Sequence, residues 1–212
     1  VKTVSDAEAK AFKLDPHLIK LMWDEPFFSK ILRGVTKVRT DSIPTAGVLA
    51  KDGALTMWWN PKFVAGLATP EVKGLLKHEC YHLVFEHTTT RRHEPHAIWN
   101  YAADLAINSL IADTELPEGG LIPGQAFKKL SDSDRTNMGP ERVRKYEAVS
   151  AKIASLPRDR NAEWYFGQLM DDEEVKEAIQ NPGNPSEGEG EGEGNVPGLP
   201  GPLDDHDGWD EL

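Results

Sequence analysis

Apolar residues recur with a helical period over most of the chain and switch to a strand-like period in one window near residue 50. Asp15-Pro16 opens a helix with Leu18, Ile19, Leu21 and Met22 as its apolar positions, and Glu25-Pro26 opens a second with Phe27, Phe28, Ile31 and Leu32. The stretches TAGVLA (45–50) and ALTMWW (54–59) flank Lys51-Asp52-Gly53, a D-G turn that predicts an antiparallel hairpin. TKVRT (36–40) supplies a candidate third strand. Thr69-Pro70-Glu71 reads as a helix start, with Thr69 as N-cap and Pro70 in the first turn, and this helix should run to about His87. After the polar loop TTTRRHEP a second long helix spans about His96 to Asp113, and so short a connection predicts that the two pack together. Helical patterns resume over about 141–156 and 162–180.

These elements predict an α+β fold, mostly helical, with a small antiparallel sheet or hairpin beside the 69–87 helix. A length of 212 residues supports one core-bearing domain, expected over residues 1–178. Residues 179–212 read as a flexible acidic tail: 181–202 consists mainly of Gly, Pro and Glu, too poor in apolar groups to offset its ordering entropy. The end, DDHDGWDEL, is strongly acidic. A net charge of −11 argues against a nucleic-acid partner. No apolar run is long enough for a membrane span, and no signal-peptide pattern opens the sequence. The one cysteine, Cys80, suits a reducing compartment, so the cytoplasm is the expected location.

The chemistry concentrates in residues 78–82, His-Glu-Cys-Tyr-His, an H-E-x-x-H pattern. On a helix, His78 and His82 project from one face and can share a metal ion, with Glu79 beside them to take a proton. The flanking residues Cys80, Tyr81, Leu83, Val84 and Phe85 make this a core helix, where two imidazoles and a carboxylate are costly unless paired or metal-bound. The bland alternative is a hydrogen-bonded pair of core histidines. Cys80 falls on the opposite side of the helix and reads as a buried thiol.

A third ligand is expected from the next helix. Its only polar interior positions, Asn100, Asp104 and Asn108, are spaced i, i+4, i+8, and His96 extends the stripe. Asp104 is the favoured ligand, with Asn100, Asn108 and His96 around it. Five of the seven histidines lie between 78 and 96, so His87, His93 and His96 stay open as competitors. The metzincin extension fails, with Phe85 and Thr88 where Gly and His belong, and Asn100 stands where a thermolysin-like site has Glu.

The segments EPFF (25–28), IPTAGV (43–48), WNPKFV (59–64), KHECYHLVFEH (77–87) and WNYAADLAIN (99–108), with NAEWYFGQL and DDHDGWDEL later, occur in an order that resembles a metallopeptidase domain. That domain is often found ahead of a von Willebrand factor A-like domain in bacterial and phage proteins. The resemblance implies a zincin-like fold, peptidase activity on a peptide or protein substrate, and a cytoplasmic or phage-associated setting within a host cell. The partner-type domain is not expected within these residues.

The expected function is therefore a zinc-dependent peptidase, with one Zn2+ on His78, His82 and Asp104 and Glu79 as general base. Tyr81, His93, His96 and Tyr101 are candidate oxyanion donors, and the strand at 54–59 is a candidate to align substrate by strand addition. His206 in the acidic tail is a candidate to fold back over the metal. The alternative is a zinc-binding interaction or assembly module with a protein partner and no catalysis.

Overall fold

The structure is a computed structural model that describes residues 1–117, 119–182 and 199. Residues 1–92 with 110–117 form one compact unit, and residues 93–109 with 119–182 form another.

The first unit opens with three short helices: α1 (Asp6–Ala11), α2 (Asp15–Asp24) and α3 (Pro26–Leu32). Ser5 and Glu8 cap α1 reciprocally, and Pro26 starts α3 after a break at Glu25. Strands β1 (Val35–Arg39), β2 (Ala46–Lys51) and β3 (Ala54–Trp59) follow. β2 and β3 form the expected hairpin, closed by Lys51 opposite Ala54 over Asp52 and Gly53, both at positive φ as its tight turn requires. The sheet is mixed, however, which corrects the expectation of an antiparallel one. Its order is β1-β3-β2, and β1 runs parallel to β3, with Val35 opposite Leu55. The 40–45 connection spans the end of β3, with Thr40 donating to the Trp59 carbonyl and Asn60 donating to the Thr45 carbonyl, so β3 returns into the gap between the other two strands. β3 is thus paired on both sides, and the 54–59 strand has no free edge on which to align a substrate.

Helix α4 (Pro61–Gly66), for which the apolar period gives no signal, starts at Asn60. The Asn60 side chain accepts from the N–H groups of Lys62 and Phe63 and donates to the Ile43 carbonyl at 2.7 Å. Helix α5 (Thr69–Val84) is capped by Ala68, not Thr69: the Ala68 N–H donates to the Glu71 carboxylate at 2.6 Å, leaving Thr69 inside the first turn. The helix stops before His87 because Glu86 takes a left-handed φ of 57°. Leu21, Phe28, Val48, Met57, Val72, Leu75, Leu76 and Cys80 belong to one buried cluster, which packs α5 among the N-terminal helices and the sheet. A 3₁₀ turn (Asp113–Glu115) closes the unit.

The second unit is helical: α6 (His96–Asn108), α7 (Asp132–Ser155), α8 (Ala162–Met170) and α9 (Glu173–Gln180). α6 ends at Asn108, short of the expected Asp113. Every residue from Ile98 to Asn108 is buried. α7 is kinked at Gly139 (φ 76°) before Pro140, so the predicted 141–156 helix is its second segment. The predicted 162–180 helix is divided into α8 and α9, with Asp172 capping the Val175 N–H. Ile98, Leu105, Val149, Ile153, Tyr165 and Leu169 form its core. No helix among the described residues is long and apolar enough to cross a membrane. Most of the acidic tail, His206 included, lies outside the described residues.

Candidate metal centre

α5 is held in place by close packing and by charge. Gly74 brings the helix against the 3₁₀ turn: a Cβ there would lie 1.8 Å from the Glu115 carbonyl oxygen. One turn on, the Lys77 ammonium is bonded to the Glu25 carboxylate at 3.1 Å and to Glu115 at 2.8 Å. Lys73 joins them, 2.7 Å from Glu25 and 3.1 Å from Glu115. Partial burial pushes the Glu25 carboxyl up, but hydrogen bonds from Lys73 and Lys77, with their charges, outweigh it and hold the group below its ordinary value. The hydrogen bond from Lys73 to Glu25 raises the Lys73 ammonium in turn. Sequence reasoning missed this clamp. Its visible signal was a lysine inside an apolar helix, directly before His78.

His78, Glu79 and His82 are all buried, with exposures of 0%, 0% and 1%. The Nε2 atoms of His78 and His82 face each other at 3.0 Å, the hydrogen-bonded arrangement of the bland alternative when no ion is held between them. Two nitrogens bound tetrahedrally to one zinc ion stand about 3.3 Å apart. The pair therefore fits a shared ion after a small adjustment of either ring. The buried His87 ring packs edge-on against His82, with centroids 5.4 Å apart. The candidate ligand set that includes His78 and His82 takes its third group from Asp104 and not from His87. Cys80 is buried, its Sγ 3.8 Å from the Phe28 carbonyl. Burial, with the Glu79 charge second, pushes its thiol up to about 12.

In the second unit, α6 buries the whole predicted stripe: Asn100 at 5% exposure, Asp104 and Asn108 at 0%. Asn108 is a clasp within this unit, donating from Nδ2 to the Leu121 carbonyl at 3.0 Å, while its own carbonyl accepts from Arg158. His96 begins the helix, half-buried. His93 packs its ring against Trp99 and Phe166 at 4.6 and 5.4 Å. Tyr101 is raised above the ordinary tyrosine range by burial first and by the Asp104 charge second. Among the described residues, His78, His82 and Asp104 are all buried and offer donors that suit a metal ion: two imidazole nitrogens and a carboxylate oxygen.

Residues 9–197 match a family described as a putative metallopeptidase domain. The chain belongs to this family. No curated protein matches it, and no solved structure does. Membership in the metallopeptidase family covers both the His78–Glu79–His82 turn and Asp104. A metal-dependent hydrolase is the coarse reading that this family supports, with His78, His82 and Asp104 as candidate ligands.

Proposed function

We propose that the chain is a zinc-dependent, zincin-like peptidase in which His78, His82 and Asp104 hold the ion and Glu79 is the general base. The observation that carries this reading is the pair of buried imidazoles on α5 with Nε2 atoms 3.0 Å apart, in a chain of the metallopeptidase family. The donor chemistry supports zinc: two imidazoles and one carboxylate suit it better than magnesium or calcium, which prefer oxygen alone. When bound, such an ion supplies Lewis acidity and makes a water acidic near about pH 7. Glu79, next to His78 in the chain, accepts the proton from the attacking water and delivers it to the leaving amine of a peptide substrate. His78 and His82 orient the site through the rigid turn of α5 that Lys77 and Gly74 fix against Glu115.

Metal content by plasma mass spectrometry tests the ligand set. The unsubstituted chain is expected to carry one zinc, lost in both His78→Ala and Asp104→Ala. Zinc retained in Asp104→Ala would move the third ligand elsewhere, and a folded chain that takes up no zinc would end the enzyme reading. Glu79→Gln separates binding from chemistry: it should keep the metal while hydrolysis of casein falls by roughly 100-fold or more.

A further inference from the structure

His78, Tyr81, His82 and Phe85 stand at i, i+3, i+4 and i+7 and share one face of α5. Phe85 lies one residue past the helix, yet its N–H still donates to the Tyr81 carbonyl at 2.9 Å, so it keeps the helical register. The Tyr81 and Phe85 rings stack, with centroids 5.5 Å apart and planes 8° from parallel. The two histidines of this face are buried, whereas both rings of the stack are half-buried.

The stack is supported from both ends. Phe28, buried, meets Tyr81 edge-on at 5.1 Å, and its neighbour Phe27 is 59% exposed. On the other side Phe85 lies 5.5 Å from His87, which packs on His82. A continuous run of rings therefore leads from the surface of this unit to the second histidine. A stack serving only the core would be closed to water as Phe28 is. Here both rings, on the helix face that carries His82, stay half-buried, and their wet apolar surface costs free energy that a covering apolar group would recover. Charged or small side chains would leave those faces hydrated.

We propose that the Tyr81–Phe85 stack is a specificity subsite that takes an aromatic or bulky aliphatic side chain of the peptide next to the scissile bond. This rests on the metallopeptidase reading above and narrows its substrate class. Covering one side of a stack recovers part of what full burial of an aromatic side chain yields. The selectivity is thus moderate and favours Phe, Tyr, Trp and Leu over Ala, Gly and charged residues.

The test is calorimetric binding of phenylalanine hydroxamate and alanine hydroxamate to the zinc-loaded full chain. The phenylalanine probe is expected to bind about tenfold more tightly, as contact over one ring face warrants. Tyr81→Leu and Phe85→Leu should each cut that preference to about threefold or less with zinc content unchanged, and Tyr81→Phe, which keeps the stack, should preserve it. Equal affinities in the unsubstituted chain overturn the subsite. So does a preference that survives both leucine variants, or failure of both probes to bind a zinc-bearing chain. A chain that holds no zinc overturns the metallopeptidase reading instead, and the subsite with it.

Discussion

Replacing Gly74 with alanine asks how far the seat of α5 can yield. The added Cβ would lie 1.8 Å from the Glu115 carbonyl oxygen, 2.7 Å from its carbonyl carbon and 3.0 Å from its Cβ. The first distance must widen to the 3.4 Å at which ordinary contact begins. The obstacle is backbone within a 3₁₀ turn whose glutamate is tied to Lys73 and Lys77, so no rotamer change relieves it. Alanine gains about 1 kcal/mol over glycine inside a helix, while forced overpacking against backbone costs about 3 kcal/mol, giving a net loss of about 2 kcal/mol. With a urea dependence of roughly 2 kcal/mol per molar, the unfolding midpoint should fall by about 1 M. Gly167→Ala is the matched control: Gly167 lies inside α8 with nothing within 4 Å of its added Cβ, so the same change should stabilise by about 0.5–1 kcal/mol. Gly74 stands one turn ahead of His78, so zinc affinity should fall with stability in the first variant and not in the second. A Gly74→Ala midpoint at or above that of the unsubstituted chain would refute the reasoning.

Asn60→Ala should cost about 1–2 kcal/mol, read by urea or thermal unfolding, because it strips two N–H groups of their cap and the Ile43 carbonyl of its donor. Glu25 makes stability pH-dependent. Its folded-state pKa is held below the ordinary 4.5, so its contribution is complete above that value and is lost as pH falls through the folded one. Glu25→Gln should therefore unfold more readily than the unsubstituted chain near neutral pH, with urea midpoints that converge in acid; parallel curves across the range would remove Glu25 as the cause.

The parts legible in the sequence were those fixed by local chemistry. The H-E-x-x-H spacing, the proline-led starts of α2 and α3, and the Asp52-Gly53 turn each state their geometry within a few residues. The polar stripe on α6 was visible as period, and its burial followed. What sequence reading missed depends on distant partners or on weak local cues. The parallel pairing of Val35 with Leu55 is set by where β3 finds room, not by anything near Val35. Glu86 ends α5 at positive φ although glutamate rarely marks such a stop. The expected start near 141 leaves out 132–138 because that polar run carries little apolar period, although a Ser131–Asp134 capping box opens α7 there. Asn60-Pro61 did carry a helix-start signal, hidden by the brevity of α4.

The order in which these pieces leave the ribosome matters as well. The unit that carries His78 and His82 is discontinuous in sequence, because among the described residues its segment with the turn at Asp113–Glu115 follows α6 of the other unit. Lys77 gains its Glu115 partner, and Gly74 its neighbour, only when residue 115 has been made. A nascent chain ending before that point holds the two-histidine turn without its seat, which is completed only after all of α6 has been made. Its completion waits on long-range closure, the slow kind of folding event, and the growing chain presents α5 incompletely locked until then.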